Sequence, residues 1–398
     1  KNFLLFLLLF SALAISCTNN AQKISQQEMI NKISVIDSLV NDCGIPALQL
    51  VYHEKFNDVC VVSVPDSASF MDNDVTANSI FQAASLSKPV FAYIVMKMVD
   101  NGEIDLDKPI AEYTDIDRFE DKEQACKLTA RMVLSHKSGL PNWAAGPSSE
   151  EWPTSIISFK YPADSCFSYS GEGYAFLQRA VEAIRHSTLD EIARKEVFEP
   201  FDMPTTSYRW LPQYDTLALP GFNRDSENRG TGRHPRENCA YTLRTNAVEY
   251  SRFVTALMEG KGLSKQSHKE MLTPQVHAIR YADEHRDCDS TIYWCIGIGS
   301  VKPSDAAAPK YYWHWGDNGN FKALFIFRPE DRSSVVYFTD SAKGHDIVTP
   351  ILQQFFGETL PSVIGSTTDL TQYGIINQTF MNMPHTGLNS IKAGISLR

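Results

Sequence analysis

Apolar and polar positions alternate along this chain in three successive regimes. Met29, Ile30, Ile33, Ile36 and Leu39 recur at helical spacing and predict an amphipathic helix over residues 28–40. Two runs of β-branched and apolar residues follow, Ala47 to Tyr52 and Val59 to Val64, and these read as strands. Helical spacing returns with Val90, Phe91, Ile94, Val95, Met98 and Val99, stopped by Asn101-Gly102. Ser85 reads as the N-cap of that helix. Thr129 reads as the cap of a short helix. Tyr174, Leu177, Val181 and Ile184 form the stripe of a helix over 174–186. Further helices are expected over 189–198 and 246–259. Strand character resumes at Ile292 to Ile298, Tyr311 to Trp315, Leu324 to Arg328 and Ser334 to Phe338, before a closing helix over 347–356.

Strands, then helices, then strands predict an α/β chain of the α+β kind. An antiparallel sheet is flanked by helices and carries a helical insertion at about residues 100–240, within one domain spanning 28–357. Residues 142–165 and 210–238 carry no period and read as irregular. Residues 358–398, weakly periodic and low in charge, read as a tail.

Composition narrows the function. The 398 residues carry a net charge of −10, which argues against a nucleic-acid partner. Lys1, the leucine/phenylalanine run Phe3 to Phe10 and the small residues before Cys17 predict an export signal over 1–16. Ala14-Ile15-Ser16-Cys17 resembles a bacterial lipoprotein processing box. It implies a lipidated Cys17, a tether over 17–27 and attachment at the cell envelope or periplasm through the lipid alone. The other seven cysteines form no C-x-x-C pair and no metal-ligand cluster. No metal or organic cofactor is expected.

Three short pieces carry candidate chemistry. Ser85 and Lys88 stand three apart at a helix start and share a face. Burial and the helix dipole both disfavour an ammonium there, and a neutral lysine can take a serine's proton. Tyr169-Ser170-Gly171 lies in a glycine-rich turn before a helix, and His314-Trp315-Gly316 ends an aromatic strand. Trp143, Trp313, Trp315 and the neighbouring tyrosines are candidates for an apolar pocket.

In order and spacing these pieces resemble the serine β-lactamase and penicillin-binding protein superfamily, especially its class C-like, esterase-like branch. The resemblance extends through Gly102-Glu103-Ile104-Asp105 and Leu134-Ser135-His136-Lys137-Ser138-Gly139-Leu140-Pro141. It implies Ser85 as acylated nucleophile, Lys88 as base and Tyr169 as proton shuttle. The oxyanion hole would be the backbone N–H of Ser85 and one from the strand after Gly316. Two departures stand out. Gly171 replaces an asparagine whose amide binds a substrate carbonyl in class C enzymes. His314 and Trp315 replace a lysine and a threonine, with His314 expected to face substrate. The implied substrate is a small ester, amide or lactam, with acyl transfer to water or to a hydroxylated acceptor. The alternatives are a true β-lactamase or D,D-carboxypeptidase/D-aminopeptidase, and a non-catalytic binding lipoprotein.

Overall fold

A computed structural model describes residues 26–54, 57–65, 75–278 and 291–357. The expected signal segment, Cys17, the start of the tether, Cys288 and the 358–398 tail lie outside the described residues.

The chain opens with helix α1 (Gln26–Cys43), then the antiparallel pair β1 (Leu48–Glu54) and β2 (Asn57–Ser63). A two-residue strand β3 (Phe81–Gln82) leads to a 3-10 turn at Ala84–Leu86 and helix α2 (Ser87–Asp100). The helical insertion holds α3 (Lys122–Ala125), α4 (Ala130–Leu134), α5 (Gly171–Arg185), α6 (Leu189–Ala193) and α7 (Tyr214–Leu217). β4 (Arg244–Thr245) pairs back with β3. Helices α8 (Ala247–Glu259) and α9 (Lys265–Met271) precede the second set of strands. These are β5 (Val276–His277), β6 (Ile292–Trp294), β7 (Gly299–Val301), β8 (Tyr311–Asp317), β9 (Lys322–Arg328) and β10 (Ser333–Thr339), and α10 (Val348–Phe356) closes the described chain.

The main sheet runs β2-β1-β10-β9-β8-β7-β6-β5 with every neighbour antiparallel. The order explains the sequence pattern. β1 pairs with β10, so the first strands of the chain close against the last, and everything between is inserted. One face of the sheet packs on α1 and α10 through Ile36, Val40, Ile351 and Leu352. The other face packs on α2, α5 and α8 through Phe325, Phe338, Phe91, Leu177 and Phe253. Both faces are covered, so the central strands β9 and β10 are buried along almost their whole length, with apolar runs Ala323 to Phe327 and Val335 to Phe338 that do not alternate. Helix α2 is buried on almost every side, because it sits between the sheet and the inserted helices.

Several expected elements differ in detail. Helix α2 begins at Ser87 with Leu86 at the N-cap, and no side chain caps it. Ser85 instead occupies the 3-10 turn. The expected strand over 292–298 ends at Trp294, because Gly297 at φ +82° turns the chain back into β7 and Cys295 N–H bonds to Ile298 O. Helix α5 starts at Gly171, three residues early, because the Ser170 side chain accepts from Gly173 N–H. Thr129 caps α4, accepting from Met132 N–H.

Candidate active site

The Ser85 turn is held from three sides. Ala84 takes φ +50°, a left-handed conformation that costs a non-glycine residue roughly 1–3 kcal/mol. Ser87 Oγ fixes the turn by donating to Ala84 O at 2.5 Å and accepting from Leu243 N at 3.0 Å. Tyr250 and Tyr208 donate to the carbonyls of Leu86 and Ser87, each at 2.8 Å. Gly316 of β8 lies directly against this turn: a Cβ there would come within 2.4 Å of Ala83 O. Glycine at 316 is thus what brings the strand end up to the serine.

Lys88 reaches Ser85 as the shared helical face requires. Its Nζ lies 3.2 Å from Ser85 Oγ and donates to Ala240 O at 2.9 Å. The side chain is 1% exposed, and burial pulls its pKa down to about 7. Among the described residues it has no carboxylate partner. The Tyr169 ring sits below the amine, 4.7 Å to its centroid. Tyr169 is placed by its neighbours. The His136 ring lies tilted against it with centroids 4.1 Å apart, and His136 Nδ1 accepts from Ser170 N–H at 3.1 Å. Ser170 Oγ also donates to Pro141 O at 2.7 Å, tying the tyrosine turn to the loop that follows α4.

His314 is fully buried behind these groups. Its Nδ1–H donates to Trp315 O at 2.7 Å, because a carbonyl can only accept. Nε2 therefore carries a lone pair, and no described residue bonds to it. Burial and the nearby Lys88 lower its pKa to about 3, so it is neutral at ordinary pH.

Ser85, Lys88 and Tyr169 share a cavity of about 350 Å³. Its walls differ from those expected. Trp143 lines it, but Trp313, Trp315, His314 and Gly171 do not. Trp313 and Trp315 point to the opposite face of β8 from His314 and pack into the second core. Trp315 lies over Tyr169, with ring centroids 5.4 Å apart. Gly171 is covered by Trp143, whose ring would come within 2.4 Å of any Cβ at that position. The walls are instead rich in carboxamides, with Gln82, Asn142, Asn318 and Asn320 beside Tyr241 and Phe321. Asn318 Nδ2 and His234 Nε2 both donate to Gln82 Oε1, at 2.7 and 3.3 Å. Burial holds His234 at a pKa of about 4, so it too is neutral. Sequence reasoning did not find these wall residues. Most lie in segments without period, and only the place of Gln82, three residues before Ser85, hints at its role.

Strand β8 supplies one more feature. β7 pairs with Tyr311 to Trp313 and then ends, while β9 continues beside His314 to Asp317. Among the described residues no strand borders the other edge of 314–317, and Asp317 and Asn318 open into the cavity. That edge leaves backbone groups for an extended substrate.

The Ser85 hydroxyl, the Lys88 amine and the Tyr169 phenol thus line one cavity beside the end of β8. The chain belongs to the Beta-lactamase family, whose model matches residues 51–353. It is 31% identical over 137 residues to penicillin-binding protein 4 of Amycolatopsis lactamdurans, a match that covers 32% of this chain and 36% of that protein. Its fold is that of a class C β-lactamase, with a TM-score of 0.70 at 14% identity over 85% of this chain and 98% of the other. A D-stereospecific amidohydrolase from a Streptomyces species matches with a TM-score of 0.65 at 14% identity, over 82% of this chain and 99% of the other.

Proposed function

We propose that this member of the family is a serine acyl hydrolase that forms an ester at Ser85. It passes the acyl group to water or to a hydroxylated acceptor. The observation that carries the reading is the buried Lys88 amine, half neutral near pH 7 and 3.2 Å from the Ser85 hydroxyl. Neutral Lys88 takes the Ser85 proton as Oγ attacks the substrate carbonyl carbon. The resulting oxyanion sits against the backbone N–H groups of Ser85 and Asp317. In comparable acyl-transfer sites one such donor is worth roughly 3–4 kcal/mol. Lys88 and Tyr169 return the proton to the leaving group, and water or an alcohol then repeats the sequence in reverse.

The substrate class is a small ester, amide or lactam. Esters are favoured over cephalosporins, because Gly171 and Trp315 lack the amide and the hydroxyl that the resemblance assigns to lactam binding at those places. A D-amino-acid amide or peptide is the second reading, favoured by the carboxamide-rich walls. Export and lipid attachment through Cys17 complete the proposal and rest on the sequence before that cysteine.

Intact-mass measurement after incubation with a panel of activated esters and β-lactams tests the reading. The native chain should gain the mass of the acyl group, and Ser85→Ala should gain none. Absence of any adduct, with a fluorophosphonate probe also failing to label, would leave the binding-lipoprotein reading standing.

A further inference from the structure

The peptide that joins Gly316 to Asp317 is held from behind the site. Asn318 N–H donates to Phe321 O at 3.2 Å across the turn that links β8 to β9. Hydrogen-bonded pairs alternate along an antiparallel ladder, so 316–323 is the next such pair and 317–322 is not one. The N–H of Asp317 therefore turns to the open edge beside the cavity, and the carbonyl of Gly316 turns the other way. There it accepts from His345 Nε2–H at 3.0 Å. One planar peptide thus presents its N–H to the site and its oxygen to a buried imidazole.

Both ring nitrogens of His345 are accounted for. A carbonyl can only accept, so Nε2 carries the ring's proton. Burial and the nearby Lys322 pull the pKa to about 3, so the ring is neutral and Nδ1 keeps a lone pair. The Tyr337 hydroxyl faces that lone pair at 3.3 Å and Gly344 O at 3.2 Å. Glycine at 344 lets the segment approach the sheet: a Cβ there would run into Thr339 Oγ1 and Lys322 Cβ. His345 is 4% exposed and does not line the cavity, so it holds the peptide without touching anything bound in the site.

We propose that His345 is a positioning residue of the oxyanion hole, which orders the Gly316–Asp317 peptide and strengthens the Asp317 N–H as a donor to the oxyanion. The assignment rests on the acyl-Ser85 reading above. A donor at a peptide oxygen draws electrons from its nitrogen, and hydrogen bonds in series reinforce one another. The N–H at the far end of the peptide is then the better donor where charge develops on the substrate. Removing one oxyanion donor outright costs roughly 10²–10³-fold in kcat. His345 orients and tunes such a donor, so its loss is worth about tenfold.

The test measures kcat/KM for p-nitrophenyl acetate and the affinity for phenylboronic acid. The boron bonds to Ser85 Oγ, the serine proton passes to Lys88, and a boronate oxygen takes the oxyanion's place. His345→Leu removes the donor, and both quantities should fall about tenfold. His345→Gln restores an N–H near the place of Nε2, and both should stay within about threefold of native. His345→Asn keeps a polar side chain that stops short of Gly316 O, and should behave as His345→Leu. Should His345→Leu not fold, the asparagine and glutamine pair decides. A second readout needs no turnover, because Gly-Asp occurs once in the sequence, at 316–317. Glycine labelled at its carbonyl carbon, with aspartate labelled at nitrogen, isolates that peptide by NMR. Both signals should move upfield in His345→Leu and stay near native in His345→Gln. Native-like values in the leucine and asparagine variants, or a glutamine variant no better than they are, would overturn the role of His345 alone. A native chain that forms no adduct at Ser85 would overturn the acyl-enzyme reading and this one with it.

Discussion

The protonation state of Lys88 sets the rate if it is the base. An ordinary lysine with pKa 10.5 is neutral in roughly one molecule in 3,000 at pH 7, whereas one with pKa about 7 is neutral in half. Burial therefore multiplies the available base by roughly a thousand. The kcat/KM for a p-nitrophenyl ester should rise about tenfold from pH 6 to pH 8 and then level, with a midpoint near 7. Lys88→Arg should lose roughly a thousandfold, since arginine keeps its proton. The same shift has a sign in stability. Above pH 7 the folded chain has released a proton that the unfolded chain holds up to about 10.5, so unfolding becomes harder across that window. The total is about 5 kcal/mol for a shift of this size. Lys88→Met should lack that rise. Denaturant titrations of both chains from pH 6 to 10 read it directly. A flat rate profile, or a midpoint near 10, would refute the argument that burial makes Lys88 the base.

Other outcomes follow from the same geometry. Ser85→Ala should abolish covalent labelling while the thermal midpoint stays within a few degrees, because the turn is held by Ser87, Tyr208 and Tyr250 rather than by Ser85; labelling at another residue would move the nucleophile. Gly171→Asn should displace Trp143 and destabilise the chain by roughly 1–3 kcal/mol, readable by chemical denaturation, and Trp143→Ala in the same chain should recover part of the loss. A chromogenic cephalosporin should be a poorer substrate than a short acyl ester of a bulky alcohol, and faster cephalosporin turnover would favour the lactam reading. Cys17→Ser should release the protein from the membrane fraction of cells, and a wild type already in the soluble fraction would refute lipidation.

The motif pair Ser85 and Lys88 was legible because it is local: a three-residue spacing on a helix fixes a shared face wherever the helix lies. The antiparallel sheet was legible because its strands are apolar and its order is strands, helices, strands. Three things were not. The left-handed Ala84 has no signal, since alanine carries no preference for positive φ. Alternation along β8 places residues 313 and 315 on one face and 314 on the other, so the three expected pocket residues could not all line one cavity. It could not say which side the cavity takes, because helices cover both faces of the sheet. Helix α9 reads as polar, with only Ser267 and Met271 buried, so it shows no apolar stripe.

The open edge of β8 has a bearing on how such a site diversifies. An extended substrate laid on that edge would present the same backbone N–H and C=O groups whatever its side chains, so the edge alone would not choose. On the acyl-enzyme proposal, selection among acyl groups would fall to the walls, most of which come from other parts of the chain than Ser85 and Lys88. Ser85 and Lys88 belong to a buried turn and helix. Asn142, Arg229 and His234 belong to irregular connections outside the two apolar cores. Drift in those connections can retune the substrate range while the buried amine and its serine stay fixed.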